Sequence, residues 1–90
     1  MTTATTASAD LDIKFFAWVR EQTGVASVSE PFLQGDTMDD IRQRLISRGP
    51  AFEQALSGPI VMACNQTIVR GEHVVSAGDE IAFFPPVTGG

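Results

Sequence analysis

The last six residues, Pro85-Pro86-Val87-Thr88-Gly89-Gly90, carry the group in this 90-residue chain best suited to chemistry, the α-carboxylate of Gly90. A glycine carboxylate is the least obstructed acyl group a polypeptide can present, because no Cβ hinders approach to its carbon. It is also an inert anion at pH 7, with a pKa of about 3.5, so it becomes an acyl donor only once a better leaving group is attached. At a background of about 7% glycine per position, a closing Gly-Gly arises by chance roughly once in 200 chains, so the pair alone decides little. Its setting decides more. Phe83-Phe84-Pro85-Pro86 precedes it, and the two prolines hold the backbone extended and lower the entropy lost when such a tail docks.

The other reactive side chains form no comparable group. Cys64, the single cysteine, lies in an apolar run and is expected to be an inert core thiol. His73 is the only histidine and has no partner at ligand spacing, so it is expected in a solvated loop and no metal site is predicted. Asp79 and Glu80 are adjacent, and adjacent strand residues face opposite ways; they read as a turn and a solvated charge, not a catalytic pair. Asn65-Gln66-Thr67 fits a glycosylation sequon but, without a secretory signal, reads as a turn. Arg42, Arg44 and Arg48 read as an ordinary solvated helix face. The chain is expected to supply no catalytic residues of its own, so partners must bring the acid–base groups.

The elements that would position the tail follow from periodicity. Leu11 to Phe16 alternates in period two, which predicts a strand with Leu11, Ile13 and Phe15 inward and Asp12, Lys14 and Phe16 outward. A short turn or helix through Trp18 to Thr23 should end at Gly24. Val25 to Leu33 reads as a weaker strand that Pro31 confines to an edge or exit. The clearest helix starts at Thr37 as N-cap, has Asp39 and Asp40 in its first turn, and buries Met38, Ile41 and Leu45. Gly49 is expected as its left-handed C′ residue, with Pro50 preventing continuation. Phe52, Ala55 and Leu56 suggest a further helical turn. Ile60 to Cys64 and Thr67 to Val69 read as strands joined at Asn65-Gln66, Gly71 to Val75 as a loop or short strand, and Ala77-Gly78-Asp79 as a turn. The last strand, Glu80 to Phe84, should place Ile81 and Phe83 on one face and Ala82 and Phe84 on the other, and Pro85-Pro86 must end its pairing. The expected class is α+β, a small sheet of four to five strands with one main helix across it.

Composition narrows the function. Eleven acidic against six basic residues give a formal charge of −5 and a pI near 4.5. There is no basic stripe for nucleic acid and no attraction to an anionic membrane; a basic protein partner would be steered toward the chain. One cysteine excludes a disulfide scaffold. The Thr/Ala/Ser-rich residues 1–10 are expected to be a flexible leader and not a signal peptide, and no apolar run reaches membrane-span length. The expected location is the cytoplasm. The expected division is a leader (1–10), a domain (11–84) and an extended tail (85–90).

Element order and the Gly-Gly end together resemble the ubiquitin-like β-grasp domains. Phe15-Phe16-Ala17-Trp18-Val19-Arg20-Glu21, Asn65-Gln66-Thr67, and Gly78-Asp79-Glu80-Ile81-Ala82-Phe83-Phe84-Pro85-Pro86-Val87-Thr88-Gly89-Gly90 resemble the family of molybdopterin synthase small subunits. The likeness spans Leu11 to Gly90, and its tail motif is the specific part. The resemblance implies a sulfur carrier. A ubiquitin-activating-enzyme-like adenylyltransferase would use ATP to adenylate Gly90, with no cofactor bound by the chain itself. A sulfur-donor protein would make the thiocarboxylate. The tail, Pro85, Pro86, Val87, Thr88 and Gly89, would insert into the large subunit of molybdopterin synthase, where sulfur passes to cyclic pyranopterin monophosphate in a heterotetrameric assembly. Phe16 and Phe84, outward on neighbouring first and last strands, are the candidate docking residues. Three rival readings remain: the sulfur carrier of thiamine thiazole synthesis, a protein modifier joined to lysines through Gly90, and a binding module with an inert tail.

Overall fold

In the computed structural model, which describes residues 10–86, alternation becomes a sheet. The elements are β1 (Leu11–Phe15), α1 (Ala17–Thr23), β2 (Ser27–Glu30), α2 (Met38–Ile46), α3 (Pro50–Leu56), β3 (Val61–Cys64), β4 (Thr67–Val69) and β5 (Glu80–Phe84). The five strands are ordered β2-β1-β5-β3-β4. β1 and β5 run parallel at the centre, and the other neighbours pair antiparallel.

Every second residue of β1 and β5 faces the core. Leu11, Ile13, Phe15, Ile81 and Phe83 are at most 1% exposed, as are Val19 of α1, Met38, Ile41 and Leu45 of α2, and Leu56 of α3. Each such side chain contributes about 1.5–3 kcal/mol relative to exposure. Phe15 stacks on Phe83 at 6.1 Å and meets Phe52 edge-on at 5.9 Å, which fastens α3 to the sheet centre.

α2 begins where the sequence predicts. Thr37 Oγ1 accepts from the Asp40 N–H (3.2 Å) while Asp40 Oδ2 accepts from the Thr37 N–H (2.9 Å), closing a capping box. The N–H groups of Met38 and Asp39 donate to the carbonyls of His73 and Gly71, both at 2.9 Å, so the 71–75 loop covers the helix start. That loop also makes one antiparallel bridge, Thr37 to Val74.

Three expectations change in detail. β2 is shorter than Val25–Leu33, because only Ser27 to Glu30 find partners on β1; it is an edge strand, as Pro31 implied. Gly49 is not the C′ residue of α2. That helix closes at Ser47 in right-handed geometry, and Gly49 is instead the N-cap of α3, with Pro50 at its first position, where a missing N–H is harmless. The third change concerns Arg42 and Arg44 of α2 and Arg48 just past its end, which are not a solvated face. Arg44 clamps Asp36 through two nitrogens (2.8 and 2.9 Å) and reaches Glu30 (3.0 Å) and the Pro31 carbonyl (2.9 Å). Arg48 binds Glu30 (2.6 Å) and the Ser29 carbonyl (2.8 Å). Arg42 satisfies the carbonyls of Leu56 and Gly58 at the end of α3. Glu30 and Asp36 are only 7% and 6% exposed, and a carboxylate buried to that degree needs the partners these guanidinium groups supply.

Candidate functional site

The solvent face of the sheet is built from the residues that alternate away from the core. In the parallel β1–β5 pair Phe15 lies beside Phe83, so the next residues, Phe16 and Phe84, emerge together on the opposite face. Their ring centroids are 6.1 Å apart at 62°, an edge-to-face pair. The Phe16 N–H donates to the Phe83 carbonyl (3.1 Å), which extends the ladder one residue past β1. Phe16 is 47% exposed and Phe84 half-buried. The expected side-by-side placement of these two rings is therefore what the fold gives.

Small residues next to the rings open a depression of about 390 Å³, lined by Phe16, Ala63, Gln66, Ile68, Glu80, Ala82 and Phe84. Ladder register explains the set. Lys14, Ala82, Ala63 and Ile68 occupy one row across β1, β5, β3 and β4. The two alanines form the floor and Ile68 one wall. Ile68, at 69% exposed, is the residue the sequence reading missed. The signal was present: a two-residue turn at Asn65-Gln66, with φ of 51° and 70°, pairs Ala63 with Ile68 and so puts both on the outer face.

β5 delivers the chain from this depression to half-buried Pro85 and exposed Pro86. Val87, Thr88, Gly89 and Gly90 lie outside the described residues.

The start of β5 is pinned at the other end. Asn65 exchanges backbone and side-chain bonds with Glu80, its N–H donating to the Glu80 carbonyl (2.7 Å) and its Oδ1 accepting from the Glu80 N–H (3.0 Å). Asp79 accepts from Asn65 Nδ2 (3.0 Å), the Ser76 N–H (2.8 Å) and the Cys64 thiol (3.2 Å). Burial works against ionisation of Asp79, but these three donors and the nearby His73 outweigh it and hold its carboxyl below the usual range. Asp79 is thus a turn anchor and not half of a catalytic pair. Cys64 is 5% exposed. Burial first, and the Asp79 carboxylate second, push its thiol up to about 11, the opposite of what a nucleophile requires. His73 is exposed in its loop. Among the described residues no group of three His, Cys, Asp or Glu is placed to hold a metal ion, and no helix is long and apolar enough to cross a membrane.

A mixed five-stranded sheet with parallel central strands from the two ends of the domain, and helices on one face, defines a ubiquitin-like β-grasp domain. The chain belongs to the ThiS family, whose model matches residues 13–90. It is 43% identical to the molybdopterin synthase sulfur carrier subunit of Haemophilus influenzae, over 89% of this chain and 99% of that one. It is 40% identical to the subunit of the same name from Escherichia coli, again over 89% and 99%. Among solved structures it is similar to small archaeal modifier protein 1 of Haloferax volcanii, with a TM-score of 0.76 and 28% identity over 87% of this chain and 98% of that one.

Proposed function

We propose that this chain is the sulfur-carrier subunit of molybdopterin synthase. The observation that carries the reading is the likeness to two subunits of that name at 43% and 40% identity over 89% of this chain. The site geometry supports it, since an apolar docking face lies at the root of a proline-stiffened tail.

Each step has a chemical reason. An oxygen of the Gly90 carboxylate attacks the α-phosphorus of ATP on a ubiquitin-activating-enzyme-like adenylyltransferase, and pyrophosphate leaves. The acyl adenylate then carries AMP as leaving group, so sulfide-level sulfur from a donor protein forms the C–S bond as the C–O bond to AMP breaks, which yields the thiocarboxylate. ATP is a substrate of the activating enzyme; this chain binds no cofactor and supplies no acid, base or metal. The large subunit receives the tail, and the terminal sulfur passes to cyclic pyranopterin monophosphate. The dithiolene needs two sulfurs, so two carrier chains serve a large-subunit dimer.

The outer sheet face does the docking. Phe16, Phe84 and Ile68 surround a depression able to seat an apolar side chain of the large subunit, and aromatic anchors of this kind dominate interface energies. Pro85 and Pro86 limit the conformations the tail loses on insertion, and glycine at 89 and 90 suits a narrow channel.

The likeness to a small archaeal modifier protein favours a second reading, attachment of Gly90 to protein lysines. Both uses share the adenylate. Reconstitution separates them: the chain bearing a C-terminal thiocarboxylate is mixed with its large subunit and cyclic pyranopterin monophosphate. Formation of molybdopterin, absent when Gly90 carries an ordinary carboxylate, supports the carrier; no pterin product there, together with lysine conjugates formed when the carboxylate chain is given ATP and the activating enzyme, supports the modifier.

A further inference from the structure

Lys14 is the only lysine in the sequence, and the other five basic residues are arginines. Amines attack activated acyl groups readily, whereas a guanidinium stays protonated at any pH of interest. The chain proposed above to carry an activated acyl end is therefore almost free of side chains that could consume it.

The position of the exception is informative. Lys14 lies opposite Ala82 in the ladder, in the row that forms the floor of the outer depression, and one alternation before Phe16. Strand spacing puts its backbone about 5 Å from that of Ala82. Its ammonium is 3.7 Å from Asp12 and 3.9 Å from Glu80, and its side chain is 40% exposed. Exposed pairs at such distances hold a charge with at most about 1 kcal/mol, so the amine is free to leave them.

We propose that Lys14 is the side-chain acceptor for the activated Gly90 of a second copy, and that docking through the Phe16–Phe84 face covers it. The inference rests on the carrier reading in requiring an activated C terminus and the docking face assigned there. In the step, Lys14 Nζ first gives a proton to solvent base. Its lone pair then forms a C–N bond to the Gly90 carbonyl carbon, and the bond from that carbon to the leaving group breaks, releasing AMP from an adenylate or a thiolate from a thioester. We assign acceptor and donor to separate copies, because β5 runs parallel to β1 and carries the chain away from Lys14 as it passes Ala82 toward Pro85. An interface of ordinary size covers about 800 Å² per partner, a patch roughly 30 Å across, and Lys14 stands opposite Ala82 of the depression floor. A docked carrier is thus protected from its own kind, and a free one is not.

The test uses the full chain prepared with a C-terminal 2-mercaptoethanesulfonate thioester, which needs no activating enzyme. At pH 8 a covalent dimer should accumulate, and fragmentation should place Gly90 on Lys14 Nζ. Lys14→Arg should lower dimer yield at least tenfold while thioester hydrolysis proceeds at the same rate. Adding the large subunit in excess should suppress the dimer of the unaltered chain at least fivefold. Linkage at the α-amino group or a hydroxyl, a Lys14→Arg chain that dimerises normally, or no protection by a large subunit that demonstrably binds would each overturn the proposal. Failure of an activating enzyme to adenylate Gly90 would instead count against the carrier reading and leave these outcomes interpretable.

Discussion

Replacing Arg44 with alanine should destabilise the domain far more than an exposed helix position allows. Arg44 holds Asp36 through two bonds and Glu30 through a third. Glu30 keeps Arg48 at 2.6 Å in the variant, so Asp36 is the carboxylate left without a counter-charge, retaining only the Leu33 N–H at 2.9 Å. Removing one partner of a buried pair costs about 3–5 kcal/mol. Arg44 itself is 28% exposed at its side chain, which lowers the expectation to about 2–4 kcal/mol once solvent screening is included. For a domain of this size, where 1 kcal/mol moves the midpoint by about 4–8 °C, Tm should fall by roughly 10–30 °C. Urea titration followed by circular dichroism and by the fluorescence of Trp18, the only tryptophan, measures the loss. Acid supplies a second readout. In the native chain the Arg44 bond, assisted by the Leu33 N–H and opposed by burial, holds Asp36 below its ordinary value. A depressed pKa stabilises above the unfolded value of about 3.9 and is lost as pH falls through the folded value. In the variant, protonating the orphaned carboxyl relieves the penalty, so the gap between the two proteins should narrow as pH approaches 4. A loss under 1 kcal/mol at pH 7, unchanged on acidification, would mean that these arginines are merely solvated.

Three further outcomes follow from the site. Phe84→Glu places a charge beside Phe16 on the outer face, so it should eliminate co-purification with the large subunit while circular dichroism and Tm stay close to those of the parent; an intact complex would refute the docking assignment. Cys64→Ser should leave sulfur transfer largely unchanged, since the reacting sulfur belongs at Gly90, and a correctly folded variant without transfer would contradict this. The native chain should also lose on the order of 2 kcal/mol between about pH 9 and 11. The Cys64 thiol is raised to about 11 when folded, so the unfolded chain ionises first and stability declines as pH rises; Cys64→Ala should remove that decline.

The strands and their faces were legible because alternation is local: Leu11, Ile13 and Phe15, and later Ile81 and Phe83, advertise their burial within five residues. Gly24, in left-handed geometry as the C-cap of α1, and Thr37 with Asp40 marked helix ends through chemistry confined to one turn. What the sequence left hidden depends on separations along the chain. Glu30 and Arg44 are 14 residues apart and Glu30 and Arg48 18 apart, so no window shows that the carboxylates need guanidinium partners. Gly49-Pro50 illustrates a different ambiguity, because glycine then proline serves equally to end one helix or to begin the next. At the site, Phe16 and Phe84 could be paired in advance from alternation plus the neighbouring of first and last strands. Ile68 was legible by one further step, since the expected two-residue turn at Asn65-Gln66 sets the register that brings it across from Ala63.

The intact mass of the chain isolated from cells tests the central claim most directly. A population is expected in which one oxygen has been exchanged for sulfur, localised by fragmentation to Gly90 and returned to the oxygen form on incubation with the large subunit and cyclic pyranopterin monophosphate. A chain that carries sulfur elsewhere, or whose Gly90 sulfur persists unchanged while molybdopterin forms, would contradict it.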